Sequence, residues 1–477
     1  MQRAGTALDP EASPRGAPSW AVVACLLSGA ALPAFTYGAS RSGALDWLWP
    51  LRPGADSDLL IALGLAGAFV TGLLACAGVA SRWRIRAAAP RAQRLWNALA
   101  ATALVLGTGA LLVRWPHNYS VGDWATWVKL ADDPMLMPSE PLGRSSHYLF
   151  FRIVSETALD HWLRLDAKTL ALRLSSVAAG MFYLAWLLAW ARKVLPSSSS
   201  WTTVPFLFVT PTLVIYAGHL ETTPWAYAFT GAYLLAGVHY LEAGHQRAPW
   251  FEALLLMLAV GSHGVVCFVT GAHAILCLHW FFAPRSGAPL PWMPRRVAEL
   301  IGVALLPFLV LTAAFAWAYH FPASWGFWYG NALGGSDNDL FVAFSERATG
   351  VYGRIRLNQF RFGSWAYTTG LLNVFLFACP LLLVLPLALW HTLQFRFRSA
   401  LFLLAGFAGL LLLSLFWNPD LGHRDDYDLL ALFALPATLL IALWWDSQFG
   451  GRQRWIVALG AVTSSFVFLV APRLQFP

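Results

Sequence analysis

Apolar runs of about 20 residues recur along nearly the whole chain, each long enough to cross a hydrocarbon core of roughly 30 Å as a helix. They fall at about 20–38, 58–80, 95–113, 170–190, 203–218, 225–242, 297–319, 367–390, 399–417, 429–446 and 454–472. Only 12% of the 477 residues are charged and 58% are hydrophobic, a balance that excludes three ordinary soluble domains. The alternating segments of about ten residues that build a membrane barrel are absent. Tryptophan, at 25 residues, often flanks the runs, as at Trp20, Trp115, Trp201, Trp225 and Trp250, which suits interfacial belts.

One stretch resists simple counting. From Trp250 to Ala283 the chain is apolar throughout, and as a single helix it would reach about 51 Å, far beyond the bilayer core. Gly261-Ser262-His263-Gly264 is a natural break, so the stretch reads as a hairpin of two short or tilted helices. The expectation is an all-α polytopic transmembrane protein of about thirteen spans, with long outer loops carrying interfacial helices.

Orientation follows from the short loops. Arg82, Arg84, Arg86, Arg91 and Arg94 mark the 81–94 connection as cytoplasmic. Alternating from it also places Arg192-Lys193, Arg247, Arg285/Arg295/Arg296, Arg396/Arg398 and Arg452/Arg454 inside, provided that the chain turns back at His263. The net charge of +8 is thereby used for topology and gives no reason to expect nucleic acid as a partner. The five cysteines (25, 76, 267, 277 and 379) lie in or beside apolar runs without a CxxC, which reads as packing rather than disulfides or metal. The expected organisation is a cytoplasmic tail at 1–18, two spans and a basic loop at 19–94, a transmembrane core at 95–446 and a final span within 447–477. Outer loops take up 114–168 and 320–366.

Every dense polar cluster found in this way falls on the outer side: Asp123, His219 with Glu221, His263, the 347–361 stretch and the 423–428 run. Asp123 stands just ahead of an amphipathic segment at 124–130, where it can cap that helix, and a carboxylate held rigidly at a helix start can serve chemistry as well. A second interfacial helix is expected over 145–167, with His147, Arg152, Glu156 and His161. His219 and Glu221 would point about 200° apart on a continuing helix. Pro224 disfavours helix at Thr223, so an unwound turn could bring both inward. His263 is either a turn residue or part of a pocket. Arg354, Arg356 and Arg361 offer forks that match phosphate oxygens, against the plainer role of holding anionic headgroups. Near Tyr427, the residues His423, Arg424, Asp426 and Asp428 exceed what capping the next helix requires. They could bind donor phosphate or sugar hydroxyls, or ligate Mg²⁺, Mn²⁺ or Ca²⁺; no metal is established.

A multispan chain with an acid early in a long outer loop, followed by amphipathic juxtamembrane helices, resembles the GT-C superfamily of polyprenyl-phosphate-dependent membrane glycosyltransferases. That group includes oligosaccharyltransferases, protein O-mannosyltransferases and lipid A aminoarabinose transferases. The resemblance covers about 95–446 and gives Asp123 the role of base or acceptor-positioning residue. It implies a sugar donor on a polyprenyl phosphate, a lipid, glycan or protein acceptor, and an inverting transfer. The site would face the periplasm or exterior of a bacterial inner membrane. The competing expectation is a transporter or flippase of a lipid-linked or anionic substrate, which calls for midplane charges, broken helices and internal repeats.

Overall fold

The computed structural model describes residues 124–134, 139–157, 159–163, 165–196, 220–283, 294–319, 362–379, 381–417 and 427–448, with isolated positions between 102 and 109 and between 204 and 216. The expected spans at 20–38, 58–80 and 454–472 lie outside the described residues, as do most of 95–113 and 203–218. Among the described residues the secondary structure is helical, with no strand. Five stretches are long and apolar enough to cross a membrane: Ala167–Val194, Gly264–Phe282, Pro294–Ala314, Phe397–Phe416 and Ala431–Gln448. They fit a membrane protein, while the expectation of about thirteen spans goes beyond them.

Two helices precede the bundle proper. Helix α1 (Trp124–Leu130) matches the amphipathic segment read from the sequence. Helix α2 (Pro141–Thr157) starts earlier than the expected 145, because Pro141 lacks an N–H and fits the first turn of a helix. Its buried residues Gly143, Arg144, His147 and Val154 recur at helical spacing, while Arg152 and Glu156 pair on the exposed side. The expected continuation to 167 is broken instead. A short α3 (Leu159–Leu163) intervenes, and Asp166 accepts from the Thr169 N–H at 2.9 Å to start α4 (Ala167–Val194). With 28 residues, α4 is about 42 Å long, so part of it stands clear of a bilayer core. Ser146 of α2 meets Ser175 of α4 at 3.0 Å in its first third.

The chain does turn back at His263. Helix α5 (Thr223–Glu242) is followed by α6 (Trp250–Ser262), a 3-10 turn at Gly264–Val269 and α7 (Thr270–Phe282). Ala253 and Cys277, far apart along one helix, share a buried cluster with Val303. His263 adopts an extended backbone (φ −158°, ψ 126°) that ends α6, and its Nδ1 accepts from the Val265 N–H to start the 3-10 turn.

Later helices are interrupted where proline removes a backbone donor. A 3-10 segment at Leu306–Phe308, containing Pro307, separates α8 (Pro294–Leu305) from α9 (Leu309–Tyr319). The single span expected at 367–390 is two helices, α10 (Trp365–Ala378) and α11 (Leu385–Phe395), joined through Cys379 and a 3-10 turn at Leu382–Val384. Pro380 and Pro386 account for that interruption. After α12 (Phe397–Phe416) and the short α13 (Tyr427–Leu430), a 3-10 turn at Ala431–Phe433 leads into α14 (Ala434–Gln448). There the Ala434 N–H turns to Ala431, and the released Leu430 carbonyl accepts the Ser414 hydroxyl at 2.6 Å.

The stretch Ala431–Gln448 runs through the middle of the bundle, 89% buried, whereas Pro294–Ala314 lies at the edge, 22% buried. Lipid offers little hydrophobic drive between helices, so close packing carries the association. Gly231 admits the Tyr183 ring, and Gly409 admits the Phe268 carbonyl, where a Cβ would collide.

Polar clusters are not confined to the His263 end, contrary to the one-sided picture from the sequence. At the opposite end Arg396 reaches both the Val194 carbonyl (3.0 Å) and Asp446 (3.4 Å), and Ser399 donates to Glu242 at 2.5 Å. Arg247 pairs with Glu252 at 3.0 Å. The Arg396 and Ser399 contacts tie helix ends that lie far apart in sequence, which loop reading cannot detect.

Candidate functional site at the His263 end

Three chain segments meet where α6 turns into the 3-10 segment. The Gly264 N–H donates to the Ser139 carbonyl at 2.8 Å, fixing the approach to α2 against the hairpin tip. Glu140 then lies with Oε1 3.3 Å from His263 Nε2, and its Oε2 accepts the Thr222 hydroxyl. Thr222 is the N-cap residue of α5 but makes no capping bond with its side chain, since its hydroxyl is engaged by Glu140. Gly143 allows the approach: a Cβ there would meet the Ser262 carbonyl oxygen at 2.6 Å and the Thr222 Cβ at 2.7 Å.

A second layer lies beside the first. His147, fully buried, donates from Nε2 to the Glu221 carbonyl at 3.0 Å, and its ring sits edge-on to Trp127 at 5.8 Å. Trp127 and Ala131 of the α1 region pack with Leu172 and Leu220. Arg144 donates from Nη2 to the carbonyls of Leu130 and Asp133, capping the end of α1. Burial pulls the Arg144 guanidinium below its ordinary value, and Asp133 and Asp132 act against that shift. Lys168 hydrogen-bonds Asp132 at 2.7 Å and holds its carboxyl below the usual value. Trp225 Nε1 donates to Ser175 at 3.0 Å, joining α5 to the same layer.

The arrangement decides what His263 can do. Its Nδ1 accepts from Val265, so Nε2 carries the hydrogen and faces Glu140. Both ring nitrogens are occupied, which makes His263 a positioning residue in this state rather than a base. Glu221 is buried, and the turn ahead of α5 is unwound at 220–222 as expected. Thr223 itself is helical, against the sequence expectation. Pro224 lies in the first turn, where no intrahelical bond needs its N–H.

Of the other residues singled out in the sequence, Asp123, His219, Arg354, Arg356, Arg361, His423, Arg424 and Asp426 lie outside the described residues. Asp428 is carried by α13, whose chain direction puts it at the His263 end. The structure thus brings Glu221 and His263 into adjoining layers at one end of the bundle and adds Glu140, Arg144, His147 and Thr222. Glu140 and Arg144 were missed, although Ser139-Glu140-Pro141 is a helix-start signal that marks an acid held at a helix entry. Among the described residues no three His, Cys, Asp or Glu side chains group as a metal site. Cys267, Cys277 and Cys379 are free thiols. No protein-family model, curated protein or solved structure matches the chain.

Proposed function

We propose that the protein is an integral membrane glycosyltransferase of GT-C type. It moves a sugar from a polyprenyl-phosphate carrier to a hydroxyl on a lipid, glycan or protein acceptor, at the periplasmic or exterior face. The observation that carries this reading is the buried polar layer around Glu140 and His263. Glu140, Arg144, His147, Glu221 and Thr222 are buried at one end of an apolar bundle, and together with the partly buried His263 they come from three separate segments. Ionisable groups so close to lipid are costly unless geometry or substrate requires them.

In this reading Asp123, one residue ahead of α1, takes or orients the acceptor proton in a single inverting displacement. The leaving carrier phosphate needs charge stabilisation more than a proton. Arg354, Arg356, Arg361 or Arg424 would supply it, alone or with a divalent cation. His219, Glu221 and His263 shape the sugar pocket, and His423, Asp426 and Asp428 hold donor phosphate or sugar hydroxyls. The test is Asp123→Asn in protein of normal fold. Donor turnover should fall by about 10²-fold or more, and turnover at the wild-type rate removes Asp123 as the base.

A second reading, a transporter or flippase, draws on the helix interruptions at Leu306–Phe308, Leu382–Val384 and Ala431–Phe433. The segments are apolar and each has a nearby proline to account for it, so they favour this reading less than the polar layer favours the first.

A further inference from the structure

At the end of the bundle opposite His263, some cations clasp helices and others form an open rim. Lys193, in the last turn of α4, holds its ammonium 4.0 Å from the centre of the Trp190 ring. Trp190 meets His239 of α5 edge-on at 5.4 Å, and His239 meets His245 at 5.5 Å. The loop that carries His245 and Arg247 is held in one shape. Gly244 takes a left-handed backbone (φ 60°) after α5, and the His245 N–H returns to the Tyr240 carbonyl at 3.3 Å. The hydroxyl of the buried Tyr240 donates to the Arg247 carbonyl at 2.5 Å, and the Arg247 guanidinium lies 5.8 Å from the Tyr240 ring.

The carboxylates at this end are engaged: Glu242 accepts the Ser399 hydroxyl, Glu252 accepts from Arg247, and Asp446 faces Arg396. Among the described residues Lys193 has no carboxylate partner, and neither His239 nor His245 makes a hydrogen bond through its ring. The rim therefore keeps positive charge and N–H donors to spare. Beside it, one face of α4 is open and aromatic. Phe182, Ala185, Trp186, Ala189, Trp190 and Lys193 recur at helical spacing, and none is buried. Trp186 and Trp190 stack at 5.0 Å, with Phe251 of α6 5.9 Å from both. Phe182 continues the row at 5.8 Å from Trp186 and meets Phe229 of α5 at 5.1 Å. From Trp190 to Phe182 the helix rises about 12 Å, most of the roughly 15 Å of hydrocarbon in one leaflet.

We propose that this face binds one anionic phospholipid. Its phosphate sits among Lys193, His239, His245 and Arg247, and an acyl chain lies along Trp190, Trp186 and Phe182. Basic pockets between membrane helices hold acidic head groups in this way. Charge selects the head group: a zwitterionic lipid brings an ammonium to a rim whose carboxylates are already engaged, whereas a phosphodiester of a neutral alcohol brings negative charge alone. The aromatic strip selects the source, since free phosphate would use only the rim and a lipid also covers apolar surface. The site lies at the far end from the Glu140–His263 layer, so the proposal goes beyond the transferase reading and stands or falls without it.

The test is native mass spectrometry of the full-length protein in detergent at neutral pH, with equal amounts of phosphatidylglycerol and phosphatidylcholine of the same acyl chains. One phosphatidylglycerol should be retained about tenfold or more in preference to phosphatidylcholine. Lys193→Gln combined with His245→Gln should lower its retention by about tenfold. Arg295→Gln removes an exposed charge of α8 at the same end and should leave the preference intact. Trp186→Leu combined with Trp190→Leu should weaken retention of the lipid, and an excess of inorganic phosphate should not displace it. The proposal is overturned if the two lipids are held alike, or if the Lys193 and His245 variant keeps the wild-type preference. It is also overturned if Arg295→Gln loses as much, which would mark diffuse surface charge, or if inorganic phosphate displaces the lipid, which would mark a site for free phosphate. Should the tryptophan variant fail to fold, the lipid preference, the charge variants and the phosphate competition decide by themselves.

Discussion

Glu140 should be the residue whose loss most disturbs the His263 end. It lies 7% exposed and joins three segments, accepting from Thr222 through one oxygen and facing His263 Nε2 at 3.3 Å through the other. Glu140→Ala leaves both donors without a partner in a closed site. At about 1–3 kcal/mol for each abandoned group, the expected loss is about 2–6 kcal/mol. Glu140→Gln keeps an acceptor for one donor but turns an amide N–H₂ toward the other, so the loss should be smaller, about 1–3 kcal/mol. The assay is unfolding in mixed micelles as the denaturing detergent is raised. Thr222→Val completes a double-mutant cycle with Glu140→Ala, and direct contact predicts coupling of about 0.5–3 kcal/mol. A loss below about 0.5 kcal/mol for Glu140→Ala, or strict additivity with Thr222→Val, would refute the reasoning.

Other perturbations test the account elsewhere. Arg396→Met removes one charged partner of Asp446, whose side chain is fully buried, and should destabilise the protein by up to about 3–5 kcal/mol in the same unfolding assay. Gly143→Ala forces a Cβ against the Ser262 carbonyl and Thr222, and should cost about 1–3 kcal/mol, with α2 more open to protease. The Asp132 carboxyl is depressed by the Lys168 hydrogen bond, so its contribution is present above its ordinary 3.8 and lost as pH falls through the lower folded value. Asp132→Asn should therefore weaken the protein slightly at neutral pH and narrow toward no difference in acid, as thermal melts across that range would show.

Much of the scaffold could be read from the sequence, because apolar length and glycine breaks are local signals. The turn at His263 was visible in Gly261-Ser262-His263-Gly264, and the amphipathic α1 in the spacing around Trp127 and Val128. The split between α10 and α11 was also available in Pro380 and Pro386, but apolar composition hid it within one continuous run. Pairings between distant residues were not legible. Glu140 finds His263 and Thr222 across long sequence separations, and Arg396 finds Val194 and Asp446 in the same way. At the second of these ends the arginines read locally as topology signals, whereas Arg396 also clasps helices together. Glu140 escaped notice because it stands beside prolines in a loop richer in obvious candidates.

The most direct measurement follows the fate of the donor. Purified protein in proteoliposomes would be given synthetic polyprenyl phosphates bearing labelled hexoses or pentoses, with envelope lipids and glycans as acceptors. Label should leave the polyprenyl phosphate and appear covalently on an acceptor, and this should stop in Asp123→Asn. Donor that crosses to the other leaflet with its sugar still attached, with no transfer to any acceptor, would contradict it.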